Sequence, residues 1–227
     1  SFMHPDALAA RLACILLGYL FGSFLTAEVV ARVVSGKSAR QLGTGNPGMA
    51  NIATHLGKKA GLLVLAGDVI KTAAACWFCH QLAPELGLTA LLYGGLGAVL
   101  GHNWPIWYKG RGGKGVATLV GAIMGVNAPL VLLCFGVWFL VLMVTHYVSL
   151  ASMVAGCSFP IFTLISPKVN HLVPFVVFSF IIAILLIYTH RKNIERLKAG
   201  TESKIYIWKP RHVKVDPEEA KDKGANK

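Results

Sequence analysis

Acidic residues are scarce in this chain. Ten Asp and Glu face 22 Lys and Arg, and charged residues fill only 14% of the 227 positions, whereas a soluble domain carries about a quarter. An ordinary water-soluble domain is thereby excluded, and the mean hydropathy of +0.59 agrees. Internal repeats are also lacking, which argues against the paired repeats of a transporter. No set of His, Cys, Asp and Glu has the spacing of a metal site. No Ser or Cys stands beside a His–acid pair, so a covalent nucleophile is not evident. The first apolar run lacks a cleavage pattern followed by a soluble domain, and it reads as a retained span.

Three short matches lack the surroundings that would give them meaning. Gly43, Gly45 and Gly48 satisfy G-x-G-x-x-G, and Asp68 follows twenty residues after Gly48. A dinucleotide fingerprint needs the strand and helix of a βαβ unit around it, and here the neighbours are membrane helices. Cys76, Cys79 and His80 satisfy the C-x-x-C-H haem-attachment spacing. They end an apolar helix with no surrounding domain to enclose a haem, so they read as small hydrophobes, as do Cys14, Cys134 and Cys157. Gly115 follows Lys114 where a Walker A loop has Ser or Thr, so a nucleotide hydrolase is not expected.

What is present in quantity is apolar sequence. The runs at 130–144 and 173–188 are nearly uncharged, as membrane helices require. Crossings are expected at about 8–34, 58–82, 86–107, 116–126, 130–145, 148–165 and 172–188. That gives seven, or five if the short fourth segment is re-entrant and pairs with a neighbour; the sequence from Asn127 to Pro129 breaks the chain after it. Glu28 and Arg32, four apart, share a helix face. Asp68 and Lys71 lie deep in the second span and read as a buried pair.

Charge bias orients these spans. With the N-terminus outside, Lys37, Arg40, Lys58, Lys59, Lys109, Arg111, Lys114 and everything from Arg191 onward fall inside. The outer loops then carry one cation, Lys168, in accord with the positive-inside rule. Half of the Lys and Arg lie from Arg191 onward, so the net charge of +12 suits a cytoplasmic tail near anionic lipid and not nucleic acid. The expected fold class is all-α: a polytopic membrane protein of seven transmembrane helices, N-terminus outside and C-terminus cytoplasmic. One membrane domain would cover 1–205. The tail at 206–227 has too little apolar surface to fold alone.

Three polar clusters share the inner face in this topology. The central one, from Tyr108 to Thr118, carries three cations and four glycines. Glycine lets a backbone turn and approach a ligand, and successive N–H groups can then cradle an anion beside Lys114 or Arg111. The plainer alternative is a flexible basic loop of the kind that collects on the cytoplasmic side. The second cluster runs from Arg40 through Gly43, Thr44, Gly45 and Asn46 to Asn51. The third holds His190, Arg191, Lys192, Asn193, Arg196 and Glu202. Together they suit a site for more than one phosphate at a membrane surface.

Four stretches also carry a resemblance. They are Gly22-Ser23; Arg40-x-x-Gly43-Thr44-Gly45-Asn46; Gly101-His102-x-x-Pro105-x-Trp107 with Lys109-Gly110-Arg111-Gly112-Gly113-Lys114-Gly115-Val116-Ala117-Thr118; and His190-Arg191-x-Asn193-Ile194-x-Arg196-Leu197-x-x-Gly200-Thr201-Glu202-x-Lys204. In this order, over about residues 15 to 205, the chain resembles the PlsY family of bacterial glycerol-3-phosphate acyltransferases, which use acyl-phosphate as donor. Thr44, Pro47, Met49 and Ala50 depart from that family's usual first motif, and Phe24, Leu25 and Thr26 stand where it has a proline.

The resemblance implies a seven-helix enzyme of the bacterial inner membrane with its active site at the cytoplasmic face. It implies transfer of a fatty acyl group to the 1-hydroxyl of glycerol 3-phosphate, giving lysophosphatidic acid and phosphate. No cofactor or metal is implied, membrane lipid is the surrounding partner, and a monomer is compatible with the sequence. Acyl-phosphate is already activated, so catalysis would rest on holding two anionic substrates in line and stabilising developing charge. Lys114, His190, Asn193 and Thr44 are the expected catalytic residues. Lys114 and the backbone of Gly112, Gly113 and Gly115 would hold donor phosphate, with Thr44 and Asn46 beside it. Arg40, His190, Asn193 and Arg196 would hold acceptor phosphate. Ser23, Gly43, Gly45, His102 and Glu202 complete the expected substrate site, with His102 orienting and Glu202 fixing a cation of the third motif. Another acceptor, an organic-phosphate transporter and a non-catalytic lipid-binding scaffold are the competing functions.

Overall fold

A computed structural model describes residues 5–169 and 172–206. Nearly all of the expected tail therefore lies outside the described residues. Helices α1 (Pro5–Ser23), α2 (Thr26–Ser35), α3 (Met49–Leu56), α4 (Lys58–Leu82) and α5 (Leu88–Asn103) lead to the central loop. Helices α6 (Val116–Thr145), α7 (Val148–Ile165), α8 (Val173–Thr189) and α9 (Arg191–Lys198) follow it. Short 3-10 turns occur at Ala39–Gln41, Pro84–Leu86 and Ile106–Tyr108, and no strand occurs among the described residues.

Apolar side chains face outward, as a lipid solvent demands. Leu8, Leu12, Leu16 and Leu20 form an exposed stripe on α1 at helical spacing. The opposite face is made of small residues, because helices in lipid associate through close packing and not through hydrophobic exclusion. Gly18 and Gly22 press on the backbone of α5. A Cβ at Gly22 would stand 2.0 Å from the Ala98 carbonyl, and one at Gly97 would stand 2.1 Å from that of Ile15.

By length and composition the stretches Ala7–Ser35, Lys58–Leu82, Val116–Thr145 and Val148–Ile165 can cross a membrane. The α8–α9 pair, bent by 54°, makes a fifth candidate. Helix α6 is interrupted at Asn127 (φ −155°, ψ 85°), two residues before Pro129, where proline removes a helix donor. Both ends of α6 meet the stretch that runs from the last residue of α8 to Glu202. Lys114, just before α6, accepts from Thr189 through its carbonyl, and Ser149, just after it, donates to Glu202. An unbroken helix of this length would hold those ends about 45 Å apart, so the chain doubles back at Asn127. The expected break is present, and its consequence is to return α7 to the polar end of the bundle.

Candidate active site

The first cluster is built outward from Glu28, buried on α2. Its carboxylate accepts from Arg32 at 2.8 Å, from Ser38 Oγ at 2.9 Å and from the Ala39 N–H at 3.0 Å. Ser38 caps the turn Ala39–Gln41. That turn delivers Arg40 to the central loop, where its Nη2 donates to the carbonyls of Tyr108, at 3.0 Å, and Arg111. The guanidinium also lies 5.0 Å from the centre of the Tyr108 ring. Part of Arg40 is therefore spent on clamping the loop, while its buried Nε has no hydrogen-bond partner among the described residues.

The turn from Gly43 to Gly48 departs from expectation. Asn51 donates to the carbonyls of Leu42 and Asn46, at 2.9 and 3.0 Å, and accepts from the Thr44 N–H at 3.1 Å. The N–H groups of Gly45, Asn46 and Gly48 are bonded within the turn. Gly45 and Gly48 thus free no backbone donor for an anion, and the turn is shaped by φ of 48° at Gly43 and 70° at Gly45. Thr44 and Gly43 are exposed, and Asn46 is half-buried.

The central loop is likewise anchored before it offers anything to a ligand. The Gly112 and Gly113 N–H groups donate to the carbonyls of Asn103 and His102, at 3.1 and 2.9 Å, at the end of α5. The expectation that both point at phosphate is corrected accordingly. The donors left for an anion are the Lys114 and Gly115 N–H groups and the first turn of α6, which Gly115 opens at φ 84°; a helix N-terminus favours negative charge. Gly113 has no room for a side chain, since its Cβ would lie 2.1 Å from His102 Nε2. Thr118 is fully buried and donates to the Gly115 carbonyl. Ser23 is also fully buried; it donates to Leu20 O and accepts from Trp107 Nε1, both at 2.8 Å. It positions the loop's tryptophan, and the expectation that it contacts substrate is corrected for that reason.

The third cluster closes over Lys114. Glu202 accepts from Asn193 Nδ2, Ser149 Oγ and Arg196 Nε, each at 2.6 Å. Burial alone would raise its carboxyl, but these three donors and the Arg196 charge outweigh burial and hold it below the ordinary carboxylate range. Fixing a cation was the expected role of Glu202, and it fixes Asn193 as well. Lys114 is half-buried, and burial lowers its ammonium to about 8; Glu202 opposes the shift and Arg196 adds to it. His190, just past α8, is lowered to about 4, first by burial and then by the Lys114 charge. Its Nδ1 donates to the Leu186 carbonyl at 2.8 Å, so its Nε2 carries the lone pair. Asn193 Oδ1 is buried without a hydrogen-bond partner among the described residues.

Arg40, Lys114, His190, Asn193, Arg196 and Glu202 are thus brought around one loop. Sequence reasoning missed Ser149 and Asn51 as organisers, and no local signal marks Ser149. Asp68, expected to lie too deep to act as a base and to pair with Lys71, is buried and forms that pair. Lys71, paired with Asp68 at 2.8 Å, reaches His102 Nδ1 at 3.0 Å, directly under the loop. No group of three His, Cys, Asp or Glu among the described residues could hold a metal ion. Cys76 and Cys79 are buried free thiols; Cys79 donates to the Cys14 carbonyl.

A family model described as glycerol-3-phosphate acyltransferase matches residues 12–200. A glycerol-3-phosphate acyltransferase of Clostridioides difficile is 42% identical over 193 residues, covering 83% of this chain and 92% of the relative. One from Coxiella burnetii is 37% identical over 87% of this chain and all of the relative. The crystal structure of PlsY (YgiH), an integral membrane glycerol 3-phosphate acyltransferase, in its glycerol 3-phosphate form superposes with a TM-score of 0.78. It shares 34% identity and covers 86% of this chain and 96% of that one. The lysophosphatidic acid form gives a TM-score of 0.76 at 33% identity. An all-helical bundle with lipid-facing apolar helices, matched in this way, is a multi-pass membrane protein, and the chain belongs to the glycerol-3-phosphate acyltransferase family.

Proposed function

We propose that this protein transfers a fatty acyl group from acyl-phosphate to the 1-hydroxyl of glycerol 3-phosphate, releasing lysophosphatidic acid and phosphate. One observation carries the proposal. Lys114, the open N-terminus of α6 and the Asn193–Glu202–Arg196 group converge at one polar end of an otherwise apolar bundle. That is a place for two phosphates, with acyl chains running into lipid.

In this scheme Lys114 and the N–H groups of Lys114 and Gly115 hold the donor phosphate. His190, Asn193, Arg196 and the free edge of Arg40 hold the acceptor, and Thr44 and Asn46 border both. The C1 hydroxyl oxygen attacks the acyl carbon. The bond from that carbon to the phosphate-bearing oxygen then breaks, and the hydroxyl proton leaves through His190 Nε2 or passes directly to the departing phosphate. Fixed donors that meet the developing charge without reorganising are the main source of rate. The same chemistry proceeds without an acyl-enzyme and without a cofactor.

The membrane arrangement belongs to the same proposal: seven crossings, N-terminus outside, in the bacterial inner membrane, with the site at the cytoplasmic face. The reversal at Asn127 and the collection of cations at the site's end support it. The direct test is phosphate release from palmitoyl-phosphate by purified protein, with and without glycerol 3-phosphate, beside Lys114→Ala. Release should require the acceptor and fall about a hundredfold or more in the variant. Release indifferent to glycerol 3-phosphate would point to hydrolysis or another acceptor and contradict the proposal.

A further inference from the structure

The buried pair Asp68–Lys71 has no part in the scheme above, yet it lies directly beneath the loop. Lys71 Nζ is ringed by three acceptors: the Phe24 carbonyl at 2.6 Å, Asp68 Oδ1 at 2.8 Å and His102 Nδ1 at 3.0 Å. The Phe24 carbonyl is available because the chain breaks between α1 and α2. Thr26 Oγ1 donates to Asp68 Oδ1 at 3.1 Å. Relative exposures are 2% for Asp68, 8% for Lys71 and 3% for His102, so water does not offer these groups alternatives.

The donor count decides the state of His102. An ammonium has three N–H donors and no lone pair, so each of its three neighbours must accept. His102 Nδ1 therefore carries no proton, and the ring proton sits on Nε2. That nitrogen fills the space a side chain at Gly113 would occupy, 2.1 Å from the ideal Cβ position. The same residue's carbonyl holds the Gly113 N–H. His102 thus supports the loop twice, once through its backbone and once through a ring whose polarity Lys71 sets.

We propose that Asp68 and Lys71 are positioning residues of the transfer site: they lock His102 as its Nε2–H form, which turns a fixed hydrogen-bond donor toward the donor-phosphate end of the central loop. This rests on the acyl-transfer function proposed above. Asp68 fixes Lys71, Lys71 fixes the tautomer, and His102 supplies the donor. A buried ion pair is costly to keep where apolar packing would do, and orientation of His102 is what this one provides.

The test combines a spectroscopic readout with kinetics. In protein labelled with 15N at histidine, with His102 assigned through His102→Gln, the wild type should show the Nε2–H tautomer. Asp68→Asn combined with Lys71→Met removes both charges together, which avoids leaving one buried and unpaired. This double variant should elute and melt as a folded protein, lose the fixed tautomer, and raise KM for palmitoyl-phosphate about ten- to a hundredfold while KM for glycerol 3-phosphate stays unchanged. His102→Gln, whose amide nitrogen reaches the Nε2 position, should keep more donor affinity than His102→Asn. An Nδ1–H tautomer in the wild type, an unchanged donor KM, or an equal rise in both KM values would overturn the proposal. Wild-type protein that shows the Nε2–H tautomer but transfers no acyl group would refute the functional assignment through a separate readout, and the phosphate role of His102 with it.

Discussion

The depressed ammonium of Lys114 makes donor binding depend on pH in a direction that can be worked out. With a value of about 8 in the free protein, Lys114 is about nine-tenths protonated at about pH 7 and about one-tenth protonated at about pH 9. A phosphate bound against it favours the charged form, so the complex holds the proton that the free protein has lost. If only the protonated form binds donor, kcat/KM for palmitoyl-phosphate falls about tenfold across that interval, because this parameter reports the free enzyme's ionisations. Half a proton, approximately, is taken up per donor bound near pH 8. The assay is the initial rate of lysophosphatidic acid formation at limiting palmitoyl-phosphate and saturating glycerol 3-phosphate. Lys114→Arg is the control, since a guanidinium stays charged throughout. Its profile should be flat over the same range, at whatever activity it retains. An equal decline in Lys114→Arg would show that another group is titrating and would refute the assignment of donor binding to the Lys114 ammonium.

Three further outcomes follow from the packing and charge of the site. Glu202 is held below the ordinary carboxylate range by its donors, so its stabilisation is present at neutral pH and is lost as pH falls through that lowered value. The melting-temperature gap between wild type and Glu202→Gln should therefore hold through neutral pH and shrink only as pH falls below the ordinary carboxylate range. Gly113→Ala places a methyl group on His102 Nε2 and must displace the loop. Its kcat/KM should drop about a hundredfold with the bundle still folded by circular dichroism. Gly22→Leu drives a side chain into the Ala98 backbone, forces α1 and α5 apart, and should destabilise the bundle by about 1–3 kcal/mol in a detergent-solubilised melt.

Much of the bundle was legible because lipid imposes a simple code. Apolar runs became helices, and the Asn127–Pro129 break is where the chain turns back. Glu28 and Arg32, four apart, form the ion pair their spacing suggests. Asp68 and Lys71, three apart, do the same. The three polar clusters were also readable, since glycine, hydroxyl, amide and cation rarely coincide in such a chain. Less legible was which backbone groups remain free. A glycine-rich run advertises N–H donors, but whether a carbonyl from another helix consumes them depends on tertiary contact. The carbonyls at the end of α5 take the Gly112 and Gly113 donors, and Asn51 organises the turn around Thr44. Ser23 lies in a recognisable motif yet faces Trp107. Ser149 meets Glu202 across 53 positions of sequence, a distance over which no local pattern speaks.

The central claim is direct acyl transfer between two substrates held at one polar face, and product stoichiometry tests it most directly. Purified protein in lipid would be given palmitoyl-phosphate and glycerol 3-phosphate, with lysophosphatidic acid and phosphate measured together by mass spectrometry through the first turnovers. The predicted result is one lysophosphatidic acid for each phosphate from the earliest time point, with no burst of phosphate ahead of it. Phosphate released in excess of lysophosphatidic acid, or in an early burst before any product, would contradict direct transfer and require a hydrolytic or covalent route through a group the site does not display.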